Sequence, residues 1–193
     1  MISAIVLAAG QSRRMNQPKM LLPWGNTTVI GHVIQTLRLA DIPDILVVTG
    51  GAHEQVSTTV LELHANTVFN ENYHSQELLS SIQCGLRCLP SESAAALICL
   101  GDQPQIQELT VRHICQSFLL HGSPLIAPSY RMRRGHPWLI GRSLWNSLLE
   151  WDPGGSPRDF INRYQDHIEY VVVESPSVLE DLDTPEDYQN FKP

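Results

Sequence analysis

Three stretches of this chain are apolar without alternation, and amphipathic segments stand between them. Residues 4–7 (Ala-Ile-Val-Leu), 44–49 (Asp-Ile-Leu-Val-Val-Thr) and 94–100 (Ala-Ala-Ala-Leu-Ile-Cys-Leu) read as strands buried on both faces. Such strands need a sheet with helices on each side. Thr27 or Thr28 can cap a helix in which Val29, Ile30, Val33, Ile34 and Leu37 fall at helical spacing. Val56, Val60 and Leu63 mark a second helix, and a third runs from Ser75 through Leu78, Leu79, Ile82 and Leu86. Strands over 67–69, 124–129 and 169–173 and a helix over 109–120 continue the rhythm. The pattern predicts a three-layer α/β/α, Rossmann-like architecture with a mostly parallel sheet. The length suits one domain over residues 1–193.

Charge and composition narrow the partners. A net charge of −7 and a pI near 5.5 argue against general affinity for nucleic acid or an anionic membrane, so any anion binding is local. No apolar run approaches the roughly 20 residues of a membrane span, and no charged region precedes an apolar core with a cleavage site. A cytoplasmic chain is the expectation. Cys84, Cys88, Cys99 and Cys115 form neither a disulfide framework nor two pairs at zinc-site spacing, and they read as reduced structural thiols.

In open parallel sheets ligands sit at the carboxyl ends of the strands, so the segments that follow them carry the chemistry. After the first strand comes Leu7-Ala-Ala-Gly-Gln-Ser-Arg-Arg-Met-Asn-Gln-Pro-Lys19. Gly10 permits a sharp turn and a close ligand, and Ser12, Arg14 and Lys19 offer donors suited to phosphate oxygens. No Gly-x-Gly-x-x-Gly and no Gly-Lys-Ser/Thr is present, which excludes the dinucleotide fingerprint and the NTPase phosphate loop. Gly50-Gly51 follows the second strand. Gly101-Asp102-Gln103-Pro104 follows the strand over 94–100, either as a plain turn or as a carboxylate facing phosphates. Ser80 and Ser81 either read a base edge or bond their own helix.

The later chain adds a basic stretch, residues 130–137 (Tyr-Arg-Met-Arg-Arg-Gly-His-Pro), that core packing does not explain. His136 binds an acceptor phosphate, meets a substrate ring system or braces the loop. Residues 151–158 form a Gly-Pro-rich rim ending in Ser156-Pro157-Arg158-Asp159, a capping box. Thr184, Pro185 and Asp187 make another, and just before it Glu180, Asp181 and Asp183 crowd carboxylates that repel unless solvated or neutralised by a cation.

Taken together these segments resemble the nucleotidyltransferases of the molybdenum-cofactor type, the MobA-like NTP transferases. Their N-terminal signature Leu-Ala-Ala-Gly-x-Ser-x-Arg-Met-Gly-x-x-Lys is matched by Leu7, Ala8, Ala9, Gly10, Ser12, Arg14, Met15 and Lys19, with Asn16 in place of the usual Gly. Asn tolerates the left-handed backbone a Gly would take. Gly-Asp-Gln-Pro, Arg-Gly-His-Pro and Asp-Leu-Asp-Thr-Pro-Glu-Asp match in order, whereas the family's Gly-Asp-x-Gly-Ala-Arg is met only loosely by Gly155 and Arg158.

The resemblance implies a fold of the nucleotide-diphospho-sugar transferase type, with a nucleotide-binding part over about 1–105 and an acceptor-binding part over about 106–193. It implies that Leu7 to Gly10, Ser12, Arg14, Lys19, Ser80 and Ser81 bind a nucleoside triphosphate, and that Arg14, Lys19 and Asp102 are catalytic. Asp102 and Asp183 hold Mg²⁺, with Asp181 in reserve, while Arg134, His136 and Arg158 face the acceptor. The implied reaction transfers NMP, from CTP, to a molybdopterin-type acceptor and releases pyrophosphate. The alternatives are a guanylyltransferase using GTP, transfer to a sugar or polyol phosphate, and a non-catalytic carrier that delivers molybdenum cofactor to an apo-enzyme.

Overall fold

A computed structural model describes residues 1–15, 17–74, 77–152 and 154–193. The expected left-handed Asn16 and the expected helix start at Ser75 lie outside them. In chain order the elements are β1 (Ile2–Ala8), the short β2 (Pro23–Trp24) and β3 (Thr27–Thr28), α1 (Val29–Leu39), β4 (Ile45–Thr49), α2 (His53–Glu62), β5 (Asn66–Phe69), α3 (Glu77–Cys88) and β6 (Ala95–Leu100). There follow α4 (Glu108–His121), β7 (Leu125–Tyr130), the two-residue β8 (Arg133–Arg134), β9 (Trp138–Gly141), α5 (Trp145–Leu149), α6 (Pro157–Arg163), β10 (Ile168–Val172) and α7 (Pro185–Phe191).

The main sheet runs β10-β7-β9-β6-β1-β4-β5, with β8 paired to β7. β5, β4, β1 and β6 are parallel neighbours, and β10 is parallel to β7. β9 alone in the main path runs antiparallel, between β6 and β7. That strand was not expected: Trp-Leu-Ile-Gly is fully buried, but four apolar residues carry neither period nor direction.

The alternation of β1 shows how the layers form. Ala4, Val6 and Ala8 join the core beneath α1, α2 and α4, while Ile5 and Leu7 join the opposite core beneath α3, α5 and α6. All seven residues of β1 are buried, which is why the segment reads as an unbroken apolar run. Thr28 caps α1 by accepting from the Gly31 N–H at 3.1 Å. The capping boxes at Ser156–Asp159 and Thr184–Asp187 are both formed.

A small third cluster decides where the chain's end goes. Met15, Leu22, Trp24 and Val29 pack with Leu182, which is fully buried, and Tyr188 and Phe191 of α7 close over them. The Tyr188 hydroxyl also donates to the Pro23 carbonyl at 2.6 Å. This apolar contact draws residues 180–184 back to the loop after β1. Among the described residues no helix is long and apolar enough to cross a membrane.

Candidate active site

In the loop after β1 Ser12 takes a left-handed backbone, φ +50°, and its carbonyl accepts from the Met15 N–H at 2.9 Å. A Cβ added at Gly10 would meet nothing within 4 Å, so this glycine faces open space that a ligand can enter closely. The Ser12 hydroxyl accepts from the Lys19 N–H at 3.1 Å and so closes the loop on itself. Gln11 links it sideways: its amide pairs with His74 Nδ1 at 2.7 Å and accepts from Arg13 Nε at 2.8 Å. Gly10, Ser12, Arg14, Lys19 and Asp183 line a cavity of about 220 Å³.

Lys19 is the centre of this site. Its ammonium pairs with the Asp102 carboxylate and lies 3.4 Å from Asp183 Oδ1, while Arg14 reaches Asp183 Oδ2 at 3.1 Å. The Lys19 and Asp102 side chains are 11% and 16% exposed, against 71% for Arg14. Burial opposes the Lys19 charge, but Asp102 and then Asp183 outweigh it, and the lysine lies above its ordinary pKa. Asp102 is delivered by the carboxyl end of β6, and Asp183 by the segment that Leu182 anchors. The Leu182 N–H donates to the Asp102 carbonyl at 3.0 Å, which sets the two carboxylates side by side.

Asp181 faces a different partner. Its Oδ1 accepts from Gln103 Nε2 at 2.5 Å, and the carboxyl lies above its usual pKa through desolvation and then the nearby Asp102.

Ser80 and Ser81 sit on the first turns of α3, and both hydroxyls accept from the Asn70 side-chain amide, at 2.9 and 3.0 Å. Ser81 is buried. Asn70 was not singled out in the sequence, because a lone Asn after a strand reads as a turn residue.

The basic stretch opens onto a second cavity, of about 480 Å³, lined by Arg133, Arg134, His136, Arg158, Trp138 and neighbours. Three arginines from β8 and the start of α6 thus meet around one space. Arg134 is oriented by Asn162, to whose Oδ1 it donates at 3.0 Å. Gly135 is needed for close approach: a Cβ there would stand 2.2 Å from the Val178 carbonyl oxygen. The His136 N–H donates to that same carbonyl at 2.9 Å. Burial lowers the His136 pKa to about 4, so the imidazole is neutral at pH 7. Its Nδ1 is buried and has no hydrogen-bond partner among the described residues.

The donor set suits a hard divalent cation. Asp102 and Asp183 already share one cation, the Lys19 ammonium, and Mg²⁺ is usually held by one or two carboxylates, with phosphate oxygens and water completing the shell. Among the described residues no group of three or more His, Cys, Asp or Glu could hold a metal, so the remaining ligands would come from substrate and water.

A family model described as the MobA-like NTP transferase domain matches residues 4–168. The chain is 26% identical over 191 residues to the molybdenum cofactor cytidylyltransferase of Escherichia coli K12, covering 99% of this chain and 95% of that one. It also resembles the crystal structure of Rv0371c from Mycobacterium tuberculosis H37Rv (TM-score 0.85, 25% identity, 98% and 96% of the two chains). A manganese complex of that protein superposes with a TM-score of 0.80. A nucleotidyl transferase from Methanothermobacter matches with a TM-score of 0.84 and 25% identity, over 100% of this chain and 96% of the other.

Proposed function

The chain belongs to the MobA-like NTP transferase domain family, and from that premise we propose that it transfers CMP from CTP to a phosphate-bearing acceptor of the molybdopterin type. The observation that carries the reading is a pair of cavities lined by basic side chains. One is basic and flanked by the Asp102–Lys19–Asp183 cluster, and the other is ringed by three arginines. The E. coli cytidylyltransferase supports the choice of base and acceptor, as do the Gly-Asp-Gln-Pro and Arg-Gly-His-Pro segments.

The β- and γ-phosphates take the loop over 10–19, where Ser12, Arg14 and Lys19 supply donors, and Leu7 to Gly10 with Ser80 border the nucleoside; Ser81, expected there too, is buried and bonded to Asn70, so it braces the helix instead. Arg134 and Arg158 hold the acceptor's charge, and neutral His136 offers its ring. An acceptor phosphate oxygen attacks the α-phosphorus in line, and the bond from that phosphorus to the β-phosphate oxygen breaks. Pyrophosphate leaves with the electron pair. Asp102 and Asp183 would hold Mg²⁺, which when bound neutralises phosphate charge; Asp181 is kept back by Gln103.

No protein nucleophile is required, and a phosphate monoester is already ionised at neutral pH, so no strong base is needed. Catalysis comes from positioning and from fixed charge at the departing oxygens, supplied by Arg14 and Lys19. The test is pyrophosphate release with each triphosphate, molybdenum cofactor and Mg²⁺. Turnover with GTP but not CTP overturns the base, and turnover only with a sugar or polyol phosphate overturns the acceptor. Cofactor binding without triphosphate cleavage would make the chain a carrier to a molybdenum apo-enzyme.

A further inference from the structure

Gln103 lies in the loop after β6, yet it is 2% exposed. Its Nε2 donates to Asp181 Oδ1 across 78 residues of sequence, and its Oε1 is buried without a hydrogen-bond partner among the described residues. A residue that only makes a turn needs neither feature. Two further ties run beside it: Gln105 Nε2 donates to the Glu180 carbonyl at 3.3 Å, and the Leu182 N–H donates to the Asp102 carbonyl at 3.0 Å. Residues 180, 181 and 182 are therefore each bonded to the 102–105 loop immediately before Asp183 meets Lys19 and Arg14.

We propose that Gln103 is a positioning residue for Asp183: by holding Asp181 it fixes the returning segment so that the Asp183 carboxylate stands beside Asp102. This rests on the reading of Asp102 and Asp183 as the carboxylates that hold a divalent cation. Asp181 is then a latch and not a ligand, since the ion pairs of Lys19 run to Asp102 and Asp183 while the Asp181 oxygen is engaged by the amide. A neutral amide fits this task. It donates to a carboxylate without adding a positive charge that would compete with Lys19, and a Glu in its place would repel Asp102 and Asp181 together.

The test measures Mn²⁺ affinity by electron paramagnetic resonance with CTP present, and hydrogen exchange of the Leu182 amide in the free protein. Gln103→Leu should weaken Mn²⁺ binding about tenfold, the lower end for a group that orients a metal ligand, and should speed Leu182 exchange. Asp181→Asn keeps an oxygen for Gln103 to donate to and should stay close to the parent in both measurements, whereas Asp183→Asn should lose most Mn²⁺ binding. Should Gln103→Leu not fold, Asp181→Leu breaks the same bond from the exposed end and carries the same expectation. If Asp181→Asn loses Mn²⁺ as Asp183→Asn does, Asp181 is a ligand and the latch is wrong. Parent-like affinity and exchange in Gln103→Leu also overturn it. A parent that binds no Mn²⁺ overturns the cation reading instead, and Leu182 exchange still decides whether Gln103 holds the segment.

Discussion

Replacing Lys19 by Ala separates the structural from the chemical use of one charge. In the free protein the ammonium stands between Asp102 and Asp183, and both Lys19 and Asp102 are well under a third exposed. Breaking a fully buried pair costs about 3–5 kcal/mol and a surface pair about 0–1 kcal/mol. This mostly buried pair falls between them, at about 2–3 kcal/mol. For a domain of this size that lowers the melting temperature by roughly 5–10 °C.

Mg²⁺ should raise the melting temperature of Lys19→Ala more than that of the parent, because in the variant the two carboxylates face each other without a cation. Turnover should fall about a hundredfold or more in Mg²⁺, since one fixed charge at a departing oxygen is worth about 3 kcal/mol of barrier. Lys19 lies above its ordinary value of 10.5 when folded. Its contribution is therefore fully present below that pH and is lost only as pH rises through the folded value, so the gap between parent and variant should be flat around neutrality. Calorimetry with and without Mg²⁺, alongside pyrophosphate release, reads all of this. A variant that melts like the parent and gains no extra from Mg²⁺ would refute the bridging role, and unchanged turnover would return Lys19 to an ordinary loop residue.

Arg134→Ala and Arg158→Ala should each raise the acceptor KM with little change in the KM for CTP, and steady-state kinetics with both substrates varied would show an equal rise in the two if either arginine served the nucleotide instead. His136 is held neutral, with its pKa lowered to about 4; stability should therefore be level above pH 6.5 and fall as pH drops toward 4, by up to about 3 kcal/mol, and His136→Gln should flatten that limb in urea titrations. Asp102→Asn should abolish metal-dependent pyrophosphate release while leaving the fold intact by circular dichroism, and retained release would remove Asp102 from the reaction. Ser156→Ala removes the cap of α6 beside the arginine-lined cavity and should cost about 1 kcal/mol in chemical denaturation.

The strands buried on both faces were legible because burial removes alternation: β1 and β6 pack helices above and below, and their apolar runs say so. Direction was not legible. Trp138 to Gly141 is as apolar as a parallel strand, and only its neighbours β6 and β7 reveal that it runs the other way. At the site, the residue types pointed to phosphate chemistry, but contact across 164 residues between Lys19 and Asp183 is set by the Leu182 cluster, which no local pattern announces. Glycine at position 10 is legible as room for a ligand, but the left-handed backbone at Ser12, whose hydroxyl meets the Lys19 N–H, has no signal in a serine. Gln103 was hidden by its company, since Gly-Asp-Gln-Pro is turn-forming throughout and the depth of one amide cannot be read from it.

The distribution of charge explains why so acidic a chain can handle anions. Over the whole surface the balance is −7, which repels a triphosphate at long range. At the cation end Asp102 and Asp183 face Lys19 and Arg14, while Asp181 is held aside by Gln103. In the cavity beyond, Arg133, Arg134 and Arg158 stand with a neutral His136. A histidine charged there would add to that cluster, but burial keeps its proton off, so the proposed acceptor would meet a neutral imidazole beside three guanidiniums. Because these arginines come from β8 and α6 and Asp183 from the segment after β10, the acceptor side and the cation side are joined through residues 176–183. Val178 seats the Arg-Gly-His-Pro backbone, and Leu182 seats Asp183. One short segment thus supports both ends of the proposed reaction, and a change that loosens it should impair acceptor binding and cation binding together.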